Sequence, residues 1–180
     1  MINKGEEQRA HLIMKLRGQG IRSASVLSAI ESVPRDIFIE NALKNHAWEN
    51  VTLPIGEGQT ISQPYIVALM TTALNLSGNE IVLEIGTGSG YQASILSLLC
   101  RRVYTIERIK TLHEFSNKKF QELKINLSQQ LAADDYFVMY EINEDFGLQI
   151  YEYLTTDDCI RLCIALAFKS GFNCYRAQED

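Results

Sequence analysis

Between Ile81 and Glu107 a short apolar run leads into three glycines spaced two apart, then an apolar helix-like stretch and a second apolar run. Ile81 to Ile85 reads as a strand, Gly86-Thr87-Gly88-Ser89-Gly90 as a loop, Tyr91 to Cys100 as a helix, and Val103 to Ile106 as the next strand. Few folds accept that order. Glycines at the end of a strand let the backbone turn sharply beneath a ligand with no Cβ in the way. The helix that follows points free N–H groups and the positive end of its dipole at the same place. Glu107 ends the second strand about 20 residues after the first glycine, where an acid accepts hydrogen bonds from both hydroxyls of a ribose. Its ordinary alternative is an exposed strand-end acid. Strand, helix, strand, then the amphipathic stretch Arg108 to Leu123 imply a right-handed, parallel α/β arrangement.

The spacing also bears on the ligand. The dinucleotide fingerprint G-x-G-x-x-G ends in a glycine that permits close helix packing. Here the pattern is G-x-G-x-G, and Tyr91 occupies the place of that last glycine. A bulky residue there disfavours a pyrophosphate, and with it a nicotinamide enzyme, and suits a smaller adenosyl ligand such as S-adenosylmethionine. The cofactor-binding residues are then Glu84, Gly86, Thr87, Gly88, Ser89, Gly90, Glu107 and Arg108. An acid inside an apolar strand is costly unless it is paired. Glu84 therefore either faces the crevice and helps position the cofactor, which is favoured, or pairs with a structural cation.

On the N-terminal side, residues 6–17 form a helix burying Ala10, Ile13 and Leu16, or Leu12 and Leu16, and stopped by Gly18 and Gly20. Ser25 to Ser32 forms a second helix and Asp36 to Leu43 a third. Residues 51–64 read as a loop, and Pro64 opens a helix that stops at Ser77-Gly78. After Leu123 a strand is expected over Tyr136 to Ile142, with helices over 147–154 and 157–169. Cys159 and Cys163 would share one face of the last helix. No histidine follows His113, so these cysteines read as structural thiols and no metal is assigned. The net charge of −5, with no block of like charge, argues against a nucleic-acid partner. No apolar run nears the ~18–20 residues that span a bilayer, and the polar start resembles no signal peptide. A cytoplasmic protein with no membrane partner is expected.

VLEIGTGSGYQA (82–93), with Val103-Tyr104-Thr105-Ile106-Glu107-Arg108 behind it, resembles the core of the protein-L-isoaspartate O-methyltransferases. The segment LPIGEGQTISQPYIVALMT (53–71) is more specific to that family, as is VPRDIF (33–38) followed by Ala47-Trp48. The resemblance covers about residues 1–123. It implies an α/β, Rossmann-like class I methyltransferase fold with N-terminal helices. It further implies methyl transfer from S-adenosylmethionine to the free carboxylate of L-isoaspartyl residues in damaged proteins, which are the expected partners. Ser62 matches the family's active-site serine and would orient the substrate, with Thr60 and Ile61 shaping the same wall. Ser62 is alternatively, or in addition, the N-cap of the helix at Pro64. Beyond Lys124 the family's Gly-Asp-Gly turn and later motifs are absent, so the sheet is expected to be truncated or divergent after its second strand. One domain over 1–180 follows: 1–78 helices and substrate loop, 79–123 cofactor core, 124–180 a divergent segment. The competing function is a non-catalytic adenosyl-binding or interaction module.

Overall fold

The computed structural model describes residues 4–125 together with two strands at 129–131 and 160–163. Helix α1 (Lys4–Gly18) has Glu6 and Glu7 in its first turn and Lys15 and Arg17 in its last, the order its dipole favours. It buries Leu12, Ile13 and Leu16, whereas Ala10 stays exposed. Helix α2 (Ala24–Ser32) is capped by Ser23, whose side chain accepts the Val26 N–H at 3.4 Å. The helix expected over Asp36 to Leu43 is instead two 3-10 segments, Arg35–Phe38 and Asn41–His46. Ile39 and Glu40 between them are extended, because the chain must bury Phe38 and Ile39 and then turn back.

Residues expected to be a loop contain an antiparallel hairpin, β1 (Leu53–Gly56) and β2 (Gln59–Ile61). Glu57 and Gly58 connect them with φ of 51° and 65°. Two positive φ values in a two-residue connection make a type I′ turn, whose twist suits paired strands. Helix α3 (Pro64–Ala73) does begin with proline in its first turn but ends before Ser77-Gly78. Strand β3 (Ile81–Ile85), helix α4 (Tyr91–Leu96), strand β4 (Arg102–Ile106) and helix α5 (Lys110–Glu122) follow. Helix α4 is shorter than Tyr91 to Cys100. Its backbone tightens after Leu96 so that the N–H groups of Arg101 and Arg102 can meet the Glu80 carbonyl.

The sheet runs past its second strand but stays small, with four strands among the described residues, as in a truncated Rossmann-like fold. β5 (Gln129–Leu131) pairs in parallel with β4, and β6 (Ile160–Cys163) in parallel with β3, giving the order β5-β4-β3-β6. Taken as first to fourth in the chain, these strands lie third, second, first, fourth, the order of a doubly wound sheet. Residues 160–163 thus form a strand within the stretch expected to be the helix 157–169. Four residues of backbone pairing with the central strand outweigh a helical preference. Cys163 lies on that strand instead of on a helix, and Cys159 lies outside the described residues. The strand expected at Tyr136 to Ile142 and the helix expected at 147–154 lie outside the described residues. The N-terminal helices and hairpin enclose one apolar core, including Leu16, Ile30, Phe38, Val67, Tyr91 and Ile95. Val82, Ala93, Leu96, Val103 and Phe120 form a second between sheet and helices. Among the described residues no helix is long and apolar enough to cross a membrane.

Candidate functional site

Open α/β sheets bind ligands beyond the C-terminal ends of their strands, where the strand order reverses. Here that point lies between β3 and β6, and the glycine loop leaves β3 beside it. Gly86, Gly88 and Gly90 have φ of 91°, 54° and 90°, a region in which side-chain-bearing residues are strained. A Cβ on Gly90 would stand 2.8 Å from Cε1 and Cζ of Phe120 and 3.1 Å from Ser116 Cβ. Close packing against α5 therefore falls to Gly90, one position earlier than in the dinucleotide pattern. Tyr91 is turned into the N-terminal core, its ring edge-on to Phe38 with centroids 5.5 Å apart.

The loop is held from behind and from the side. The N–H groups of Gly86 and Thr87 donate to the Ile106 carbonyl at 2.8 and 3.0 Å, and the Gly90 N–H to the Thr87 carbonyl. Gly88 N–H donates to Glu107 Oε2 at 2.7 Å, and Ile109 N–H to its Oε1 at 2.9 Å. These amides thus brace the loop instead of standing free for a ligand. Each Glu107 oxygen retains a second lone pair for a further donor.

Glu84 is fully buried and does not reach the crevice surface that was expected for it. It accepts a hydrogen bond from Thr105 Oγ1. Thr105 Oγ1 also lies 2.7 Å from Thr87 Oγ1, a hydrogen bond in which either hydroxyl can be the donor. Glu84, Thr105 and Thr87 form a chain from the sheet interior to the loop. Burial pushes the Glu84 carboxyl up to about 8, against the Thr105 hydrogen bond and helped by the nearby Glu107 charge. Its Oε1 has no hydrogen-bond partner among the described residues. A neutral acid avoids most of the cost of that position.

Opposite this loop stands the β1–β2 hairpin. Ile55 Cδ1 lies 3.6 Å from where a Gly88 Cβ would be, and Glu57 Oε1 accepts from Thr111 Oγ1 of α5 at 2.8 Å. The two units enclose a crevice of about 360 Å³, within the range of small-ligand sites. Gln59, Thr60, Ile61 and Ser62 line one side, and Gly86, Thr87, Gly88, Ser89, Glu107 and Arg108 the other. Gly90 supports the loop from beneath. Of the residues named from sequence, the crevice collects all but Glu84 and Gly90.

Ser62 is not the cap of α3. That position belongs to Gln63, which makes no side-chain cap bond. The cap comes through space from Asn50, whose Oδ1 accepts the Tyr65 N–H at 2.9 Å. Ser62 is exposed and lines the crevice. Two residues that organise this wall were not singled out from sequence, Asn50 and Arg35. Arg35 lies in VPRDIF with no exposed surface, and it donates to the carbonyls of Ala47, Val51 and Ser62. The available signal was a cation flanked on both sides by core residues, Val33 and Phe38.

Residues 7–141 match the family model of protein-L-isoaspartate(D-aspartate) O-methyltransferase. The chain belongs to that family. It is 54% identical over 125 residues to protein-L-isoaspartate O-methyltransferase of Parvibaculum lavamentivorans, an alignment covering 69% of this chain and 56% of that protein. The enzyme of the same name in Serratia proteamaculans is 50% identical over 126 residues, 70% of this chain and 59% of its own length. The chain thus spans little more than half the length of these relatives. A solved protein-L-isoaspartate O-methyltransferase superposes with a TM-score of 0.61 at 26% identity, over 69% of this chain and 41% of that one. A putative family member from Plasmodium falciparum, solved with S-adenosyl-L-homocysteine, shares the fold at a TM-score of 0.60 and 22% identity, over 83% of this chain and 70% of that one.

Proposed function

We propose that this chain binds S-adenosylmethionine in the crevice and transfers its methyl group to the free carboxylate of L-isoaspartyl residues in damaged proteins. The observation that carries this is the meeting of the Gln59–Ser62 segment and the glycine loop with Glu107 on one crevice. The residues present suit the cofactor. Glu107 keeps acceptor capacity for ribose hydroxyls, and a wall of glycines lets an adenosyl group approach the backbone. Gly86, Thr87, Gly88, Ser89 and Gly90 shape the floor, Arg108 flanks it, and Glu84 supports it through Thr105 and Thr87. S-adenosylmethionine, when bound, supplies an electrophilic methyl group.

The chain's own task is then alignment. A substrate carboxylate is already ionised at neutral pH and needs no strong general base. Ser62 Oγ donates a hydrogen bond that orients it, and Thr60 and Ile61 limit how it enters. A hydroxyl grips a carboxylate without neutralising it, which preserves its nucleophilicity. In this reading 1–78 supplies the substrate wall and 79–123 the cofactor wall of a single domain, 1–180, acting on proteins in the cytoplasm. Incubation of the full chain with labelled S-adenosylmethionine and an isoaspartyl peptide should give a base-labile methyl ester. Label incorporation no higher than that of Ser62→Ala would refute the proposal.

A further inference from the structure

We infer that Arg35 is a positioning residue that fixes the Ser62 wall of the crevice against its cofactor wall. Its guanidinium is fully buried and forms no ion pair among the described residues. Taking a cation out of water costs several kcal/mol unless its donors are satisfied. Arg35 meets this at its two terminal nitrogens, with carbonyls from three separate segments, while its Nε has no hydrogen-bond partner among the described residues. Nη1 donates to Ala47 O at 2.6 Å, and Nη2 to Val51 O at 2.9 Å and Ser62 O at 3.1 Å. Val51 precedes β1 and Ser62 follows β2, so one nitrogen ties together both ends of the hairpin. On its other side the guanidinium carbon lies 5.8 Å from the centre of the Tyr91 ring. Tyr91 opens α4 directly after Gly90. One side chain therefore touches the backbone that carries the substrate hydroxyl and the helix that anchors the glycine loop.

The chemistry suits arginine alone. Its planar fork offers donors in two fixed directions and a flat face for the ring, whereas lysine offers a compact point charge. Burial lowers its pKa to about 10, with Tyr91 acting the other way, so it stays charged at neutral pH. Transfer between two bound partners depends on their alignment, and a displacement of ~1 Å costs on the order of a hundredfold in rate. The catalytic consequence rests on the proposed role of Ser62; the fixing of the wall does not.

Arg35→Lys in the full chain tests it, by steady-state kinetics with an isoaspartyl peptide, calorimetry with S-adenosylhomocysteine, and deuterium exchange. The kcat should fall at least about tenfold while the S-adenosylhomocysteine Kd stays within about threefold. Uptake over residues 59–65 should rise without a matching rise over 81–85. An unchanged kcat, cofactor affinity lost in step with kcat, or equal uptake in both segments would overturn the inference. Arg35→Gln, which removes the buried charge and keeps a planar donor, carries the same expectations if Arg35→Lys does not fold. If the wild-type chain transfers no methyl group, the proposed function fails, and the inference is decided by exchange alone. Selective uptake over 59–65 then supports it, and any other pattern rejects it.

Discussion

Substituting alanine for Gly90 places a methyl group 2.8 Å from two atoms of the Phe120 ring and 3.1 Å from Ser116 Cβ. Two penalties add. At φ of 90° a side-chain-bearing residue is strained by about 1–2 kcal/mol. Forcing a carbon into a filled site costs about 1–3 kcal/mol more, and Phe120 and Ser116 are both buried with little room to yield. The expected loss is about 2–5 kcal/mol, a large share of the ~5–15 kcal/mol that holds a domain together. Gly88 is the internal control. Its φ is 54°, but an added Cβ meets only Ile55 Cδ1 at 3.6 Å and Gly86 O at 4.0 Å, ordinary contacts. Gly88→Ala should therefore carry the backbone strain alone. Urea unfolding of both variants, followed by circular dichroism, should separate them by about 1–3 kcal/mol. Trimming the ring with Phe120→Leu should recover part of the Gly90→Ala loss beyond simple additivity. Equal stability of the two alanine variants would refute the packing role given to Gly90.

Asn50→Ala removes the acceptor for the Tyr65 N–H, and also the 3.0 Å bond to Gln19. Urea midpoints should show a loss of about 1–2 kcal/mol, with Ser62→Ala within about 0.5 kcal/mol of wild type. Glu84 holds its proton more tightly folded than unfolded, so stability should fall as pH rises from about 4.5 towards about 8. Glu84→Gln should lack that decline, as read by unfolding midpoints across the window. Glu80 has the opposite sign. Burial opposes its charge, yet hydrogen bonds from Ser77 and Gly78 outweigh it and hold the carboxyl down at about 2. Its contribution is complete above about 4.5 and disappears as pH falls towards about 2. Glu80→Gln should flatten the acid limb of the stability profile.

The glycine-loop half of the crevice is legible in the sequence because its determinants are local. The strand Ile81–Ile85 was assigned with its observed bounds, and the glycines and Glu107 lie where sequence spacing puts them. The hairpin was not legible. Its strands of four and three residues are too short to show alternation, and Pro54 argues against a strand. The Glu57-Gly58 turn between them is an atypical form of the usual Asn-Gly or Asp-Gly signal. Residues 160–163 read as helix in the sequence because a short apolar run has no period of its own. Only pairing with β3 decides it. Arg35 and Asn50 act through contacts 12 to 31 residues away in the chain, which no local pattern encodes. The Ser62 capping role failed for the same reason, since Asn50 supplies that bond from outside the helix.

Cofactor affinity tests the central claim most directly, because it asks whether the crevice between hairpin and glycine loop is a working adenosyl site. Calorimetric titration of the full chain with S-adenosylhomocysteine should show binding at one site. Glu107→Ala should weaken it at least about tenfold, the loss of one or two hydrogen bonds to a charged acceptor. No binding by the wild-type chain, or equal binding by Glu107→Ala, would contradict the account.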